Sequence, residues 1–97
     1  MLTDGDKAVL CVRVCAALER HETGHSPFAL RVAYIAGATA TSLLAGHRTT
    51  GASIIRGLEA VFNESLVERE RAAARTLLAI VRCEPDAEAR LAKLEAL

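Results

Sequence analysis

The sequence predicts a small all-α protein, a bundle of four or five helices in which residues 1–97 form one domain. Hydrophobic residues make up 52% of the chain and aromatic residues only 3%, so the core must consist mainly of Ala, Leu, Val and Ile. Ala has the highest helix propensity. No segment shows the sustained alternation of apolar and polar residues that is typical of a strand. A core this small gains from burying further surface, so a dimer is also predicted.

Start and stop signals place the first two helices. Thr3 and Asp6 are spaced as a capping box, so the first helix is predicted to begin there. Gly24 is the predicted C-terminal stop. Ser26 and Pro27 then combine a hydroxyl N-cap with a proline at the first helical position, which predicts the start of the second helix.

Two glycines divide the next part of the chain. A short third helix is predicted between Gly37 and Gly46, with Gly37 in a tight turn of left-handed backbone. Thr49 or Thr50 is the predicted N-cap of a fourth helix. The apolar residues of that helix share one face and are Ile54, Ile55, Leu58, Val61 and Phe62.

The segment after this helix allows two interpretations. Ser65 and Glu68 repeat the spacing of a capping box, which favours a break and a new helix. Without that break, residues 51–83 form one helix of roughly 50 Å. Residues 69–83 are helical in either case, Pro85 ends that helix, and residues 86–97 are predicted to form a terminal amphipathic helix.

Charge is distributed unevenly along a chain whose formal net charge is zero. Residues 26–58 contain no acid and three arginines, residues 1–25 contain four acids and three bases, and residues 59–97 contain eight acids and six bases. A surface that faces phosphates must exclude carboxylates, so the acid-free segment favours contact with nucleic acid. The alternative is that this segment is the buried centre of the bundle, where all charge is scarce.

Residues 43–62, LLAGHRTTGASIIRGLEAVF, contain a Gly-basic-Arg-Thr loop followed by an amphipathic helix, and Gly37 precedes them as the predicted turn residue. This pattern resembles the Cro/CI-like (XRE) helix-turn-helix family over about residues 26–62. The resemblance implies a small bacterial, cytoplasmic transcriptional regulator that binds double-stranded DNA as a homodimer. The segment between Gly37 and Gly46 is about three residues shorter than in that family, which removes nearly one turn of the recognition helix.

The resemblance assigns DNA contacts to the short helix, to the loop after it and to the margins of the motif. Small hydroxyl side chains of the helix face the groove, loop residues hold the phosphate backbone, and arginines flank both. Hydroxyl groups discriminate weakly between bases, whereas arginines contact phosphates without regard to sequence. The predicted contacts are Arg31, Thr39, Thr41, Ser42, Arg48, Thr49, Thr50 and Arg56.

A non-enzymatic helical protein–protein interaction module, such as an antiactivator, an adaptor or a small chaperone, is the alternative function. Nine of the residues in segment 67–83 are Ala, Leu, Ile or Val, and this segment is suited to pack against a partner helix. No nucleophile motif and no phosphate-binding loop is present, so neither an enzyme nor a cofactor is predicted. No uncharged apolar run is long enough to predict a membrane span.

Four residues near the N-terminus have the chemistry of metal ligands. Cys11, Cys15, His21 and His25 carry the side chains that zinc or copper prefers, but the two pairs are closer in sequence than a zinc finger requires. Cys11 and Cys15 are therefore predicted to be reduced, buried on the first helix and free of metal. An odd total of three cysteines also indicates free thiols in a reducing cytoplasm.

Overall fold

The computed structural model describes residues 2–20, 26–47 and 51–97, and these residues form an all-helical structure. The prediction of an all-α fold with four or five helices is therefore confirmed. The five helices are α1 (Asp4–Glu19), α2 (Pro27–Leu44), α3 (Ala52–Glu64), α4 (Glu68–Val81) and α5 (Ala87–Ala96).

The helix α4 occupies the centre of the structure. It contacts α1, α2, α3 and α5, while α1 and α2 form the most extensive helix pair. Within residues 73–81, Arg75 is the one residue of α4 that is not buried. The other helices therefore cover α4 on nearly every side, and α2 lies at the periphery with one face inward and one outward.

The core contains aliphatic side chains almost exclusively, as the composition predicted. None of the three aromatic residues, all of which lie in the described part of the chain, is fully buried: Phe28 and Phe62 are half-buried and Tyr34 is exposed. The largest fully buried apolar side chains are Leu58, Leu77, Ile80, Leu91, Leu94, Val14, Val32 and Val61.

The predicted starts of α1 and α2 are confirmed. Thr3 Oγ1 accepts a hydrogen bond from the backbone N–H of Asp6 at 3.1 Å, and the Asp6 carboxylate accepts one from the N–H of Thr3 at 3.0 Å. Ser26 Oγ accepts from the N–H of Phe28 at 3.1 Å, with Pro27 at the first helical position. Each cap satisfies backbone donors that have no partner inside the helix. Gly24 lies outside the described residues.

The predicted turn at Gly37 is wrong, and so is the separate short helix after it. α2 continues through Gly37 to Leu44, and among the glycines of the described segments Gly46 is the one with a positive φ, +77°. A glycine inside a helix costs only about 1 kcal/mol relative to Ala. A break would also expose Ala40 and Leu43, which are buried on the inner face of the second half of α2.

Helices α2 and α4 end in the same hydrogen-bonded geometry. α2 has the expected glycine at the left-handed position, whereas α4 has a cysteine there. At the end of α2, Gly46 has left-handed backbone and the N–H of His47 donates to Ser42 O at 2.8 Å. At the end of α4, Cys83 has φ +56° and the N–H of Glu84 donates to Ala79 O at 2.9 Å. Both are Schellman motifs, in which the left-handed position is most often glycine.

The chain breaks between α3 and α4, so the interpretation as one long helix over residues 51–83 is wrong. The predicted capping box is not what forms the corner, however. Ser65 Oγ donates to the Glu70 carboxylate at 2.6 Å and accepts from the N–H of Val67 at 3.1 Å, and Val67 is the N-cap of α4. The N-cap of α3 is Gly51, and the predicted caps Thr49 and Thr50 lie outside the described residues.

We predict that Gly37→Ala raises the free energy of unfolding by several tenths of a kcal/mol to about 1 kcal/mol, because it improves helix propensity. Apart from the adjacent residues and the backbone of α2 itself, no described atom lies within 4 Å of the position a Cβ would take at Gly37. Gly57→Ala is the matched control, since its Cβ would lie 3.3 Å from Ile35 Cδ1 and should gain less. Urea denaturation measures both in a chain that also carries Leu44→Glu, since a charge at this exposed position prevents association through the outer face of α2. A loss of stability in Gly37→Ala there would contradict the continuous helix.

We predict that Cys83→Gly stabilises the fold by roughly 0.5–1 kcal/mol. Left-handed backbone costs a residue with a Cβ about 1–2 kcal/mol, and part of the relief is offset by the greater entropy of glycine in the unfolded chain. Gly46→Ala creates the same strain at the end of α2 and should destabilise by about 1 kcal/mol. Thermal denaturation should show the two melting temperatures moving in opposite directions. Movement in the same direction would refute the assignment of left-handed backbone to positions 46 and 83.

Candidate functional site

The predicted DNA contacts are scattered in the structure. Arg48, Thr49 and Thr50 lie outside the described residues. Of the other five, Arg31, Thr41 and Arg56 are exposed, Ser42 is half-buried and Thr39 is buried.

Thr39 and Thr41 do not present free hydroxyl groups on one surface. Because α2 is continuous, Thr39 falls on the inner face with Ala36 and Leu43, and it is only 1% exposed. In this conformation its hydroxyl therefore cannot reach a nucleic acid. Thr41 points outward, but its Oγ1 donates to Gly37 O at 3.0 Å within the same helix.

The two described arginines lie apart from the threonines. Arg31 Cδ is 4.0 Å from the position that a Cβ would take at Gly57, so the Arg31 side chain lies against α3 at that glycine. Thr41 is ten residues further along α2, about 15 Å away at 1.5 Å per residue. Arg31 and the outward hydroxyl group of Thr41 thus lie toward opposite ends of α2, and Arg56 belongs to α3.

The outer face of α2 instead carries a row of apolar and small residues. Tyr34 is 78% exposed, Leu44 is 73% exposed and Leu30 is 55% exposed. Gly37 and Thr41 lie between them and are exposed as well. We call these five residues, Leu30, Tyr34, Gly37, Thr41 and Leu44, the α2 stripe.

The spacing within the α2 stripe is 4, 3, 4 and 3 residues. This is the heptad spacing with which one helix packs along another, because a period of 3.5 residues keeps the seam on one side. The inner face of α2 is also apolar, with Val32, Ala36 and Ala40 in the core. Helices that are apolar on both faces are typically covered by other elements on both faces.

Gly37 has no structural role that the described residues explain. It costs the helix about 1 kcal/mol relative to Ala. Yet, apart from the adjacent residues and the backbone of α2 itself, no described atom lies within 4 Å of its missing Cβ. Gly57 in α3 differs, because Ile35 Cδ1 of α2 would lie 3.3 Å from a Cβ there. The small residue at 57 is explained by helix packing inside the chain, whereas the one at 37 leaves open space on the outer face.

Helix α1 extends this apolar surface. The Cys15 thiol lies 3.5 Å from Ala33 O as donor, which places the two helices side by side. Val9 and Val12 of α1 are more than half exposed. We call Val9, Val12 and the α2 stripe together the α1/α2 face. Its seven residues carry no charge, and Arg31 is the one charged residue of α2.

By length and composition, α2 also meets the requirements for a membrane-crossing helix, and one third of it is buried inside the fold. A core helix of a soluble protein passes the same test. Its 18 residues span about 27 Å, slightly less than the hydrocarbon core of a bilayer.

A surface cleft between α4 and α5 is a poor candidate for a ligand-binding site. This cleft of about 440 Å³ is lined by Arg75, Arg90 and Lys93 together with apolar residues. Arg75 pairs with Glu84 at 3.0 Å, and Arg90 lies 2.8 Å from Asp86. Two of the three cations are therefore already neutralised within the chain.

The thiols are unpaired in the structure, and Cys11 is buried as predicted. Burial raises the pKa of Cys11 to about 12 and also raises the pKa of Cys15, which is only half-buried. The described segments contain no group of three or more His, Cys, Asp or Glu side chains arranged to hold a metal ion. His21 and His25 lie outside those segments.

Comparison of the chain with protein-family models, with curated proteins and with solved structures finds no match. The function must therefore be argued from the geometry of the chain itself.

The α2 stripe was not among the features predicted from the sequence. The signal was present, because residues 30, 34, 37, 41 and 44 follow a heptad in a helix that has a second apolar face. It was missed because a turn placed at Gly37 divides the stripe between two elements.

We predict that Cys11 resists iodoacetamide at pH 8 in the folded protein. With a pKa raised to about 12 by burial, only about one thiol in ten thousand is ionised, and the thiolate is the reactive form. The exposed Cys83 should be modified first, and Cys11 should react only in denaturant. Mass spectrometry of proteolytic fragments measures both, and equal rates in the folded protein would show that Cys11 is accessible.

Proposed function

We propose that this protein is a non-enzymatic helical interaction module whose α1/α2 face binds a helix of a protein partner. The observation that carries the proposal is the α2 stripe, in which exposed apolar side chains at heptad spacing flank an exposed glycine. Exposed apolar patches of this kind commonly mark protein-binding surfaces.

Burial of the α1/α2 face by a partner is energetically favourable. Leu30, Tyr34 and Leu44 are each exposed by half to three-quarters, and covering each is worth about 1–2 kcal/mol from the hydrophobic effect. Val9 and Val12 add to this gain on the adjoining helix. Since the face contains no charge, a partner need not desolvate an ionised group of this chain at the centre of the contact.

A helix is the partner element that fits best. Side chains spaced 4 and 3 residues apart form the seam into which the side chains of a second helix insert. An extended strand would require an unpaired sheet edge, and the described residues form no sheet. The absence of a side chain at Gly37 also allows another backbone to approach closely.

Binding of double-stranded DNA is the second candidate function. It is supported by the acid-free segment 26–58 and by exposed Arg31 and Arg56. It is less favoured because α2 contains no turn at Gly37 and because Thr39 is directed into the core. Phosphate contacts require several cations on one surface, and the described part of this segment supplies two.

We predict that a photoreactive p-benzoylphenylalanine placed at Tyr34 forms a covalent adduct with a protein chain in living cells. Leu66 is 99% exposed and lies between α3 and α4, so the same group placed there is the matched control. Leu44→Glu should abolish the adduct at position 34, since it places a charge in the stripe without touching the core. Mass spectrometry of the adduct identifies the chain attached.

The absence of a protein adduct at position 34, or an equal yield at position 66, would refute the interaction proposal. Electrophoretic mobility on generic duplex DNA at about 50 mM salt tests the second candidate separately, because non-specific attraction to phosphates is strong there. A shift that weakens in Arg31→Ala and is unaffected by Leu44→Glu would favour DNA binding instead.

A further inference from the structure

We infer that the occupant of the α2 stripe is a second copy of this chain, packed antiparallel to the first around a twofold axis that passes beside Gly37. This inference rests on the proposed function, because it names the partner of the same face. It specifies the register and the direction of the contact, and both can be tested.

The α2 stripe is complementary to itself when its direction is reversed. An antiparallel copy centred on Gly37 places Leu30 opposite the partner's Leu44 and Gly37 opposite its own equivalent. Tyr34 then lies within one residue of the level of the partner's Thr41, so that the largest side chain of the stripe meets a small one. A twofold contact requires this kind of self-complementarity, because the same surface serves both subunits.

The open space at Gly37 lies at the centre of this arrangement. Two helices that cross at a glycine approach more closely than two that cross at a larger residue. In the single chain no described atom fills the space that a Cβ would take. A second copy accounts for this glycine, just as Ile35 accounts for Gly57 within the chain.

The charges favour the antiparallel direction. Arg31 lies near the N-terminus of α2, where the positive end of the helix dipole disfavours a cation, and the last turn of α2 contains no basic residue. In the antiparallel arrangement, Arg31 lies at the level of the C-terminal end of the partner helix, where a cation is favoured. A parallel copy would instead place Arg31 near the N-terminal end of the partner helix, where a cation is disfavoured.

The size of the α1/α2 face suits a stable dimer. α2 is about 27 Å long, and α1 adds a second helix at a typical spacing of about 10 Å. An interface of standard size covers about 800 Å² on each partner, roughly one seventh of the 5620 Å² surface of the chain. The α2 stripe alone is one helix wide, so Val9 and Val12 supply the remaining apolar contact on the adjoining helix.

Sedimentation equilibrium between about 1 and 100 µM measures the association. The wild-type chain should sediment as a dimer of twice 10.3 kDa. Leu44→Glu should weaken association at least a hundredfold, and Leu66→Glu should leave it unchanged. Gly37→Gln should weaken it at least tenfold while raising the melting temperature of the monomer, because Gln is a good helix former at an exposed position. If Gly37 had only a structural role, its substitution would not weaken association and raise the melting temperature at the same time.

Disulfide trapping tests the register in a chain that carries Cys15→Ala and Cys83→Gly. Under mild oxidation, Leu30→Cys alone should form no dimer, because its equivalent lies about 21 Å away along the antiparallel helix. Leu44→Cys alone should behave in the same way. A mixture of the two variants should link, since each cysteine then faces the other.

Four outcomes would overturn the inference. They are a monomer at 100 µM, linkage of Leu30→Cys with itself, unchanged association in Gly37→Gln, and a monomer that co-sediments with phosphatidylcholine vesicles through α2. The photoreactive group at position 34 separates this inference from the proposed function. A monomer whose adduct is a different protein removes the second copy and retains the interaction module, whereas a monomer without any protein adduct removes both.

Discussion

The close approach of the other helices to α4 is the constraint on which this structure depends. Ala73, Ala74 and Ala79 are fully buried, so the backbone of α4 lies near its neighbours and little space is left for larger side chains. Adding atoms to a core packed in this way forces side chains off their preferred conformations. α2 contributes one apolar face to this core and is left with a second one outside it. The proposed interaction therefore follows from a helix that has more apolar surface than its contacts with α1, α3 and α4 bury.

The elements that the sequence predicted correctly are those fixed by local backbone chemistry. Ser26 and Pro27 start α2 because a hydroxyl acceptor and a preset φ act within one turn. Gly37 and Gly46 show the limit of such reasoning, since the same residue type lies inside a helix at one position and ends it at the other. What separates them is the burial of Ala40 and Leu43, which holds α2 together beyond Gly37. Long-range packing of this kind cannot be derived from the residues on either side of a glycine.

The corner between α3 and α4 carries the same lesson for polar residues. The spacing of Ser65 and Glu68 predicted a break, and a break is present, but the Ser65 hydroxyl is bonded to the buried Glu70 carboxylate. Two carboxylates two residues apart compete for one hydroxyl group, and the tertiary position of the helix decides which one binds it. The segment in which the sequence predicted a binding surface, about residues 26–62, contains the α2 stripe, but the inward direction of Thr39 and the outward direction of Tyr34 required the register of one continuous helix.

The aliphatic composition of the core has an optical consequence. The chain contains no Trp, and its single Tyr is on the surface, so the packed interior produces almost no near-ultraviolet circular dichroism. Emission from Tyr34 arises on the outer face of α2 and does not follow the loosening of the core. A state that kept its helices but lost its fixed packing would leave both signals nearly unchanged. The methyl groups of Leu, Ile and Val, observed by nuclear magnetic resonance, are the probes that would reveal it.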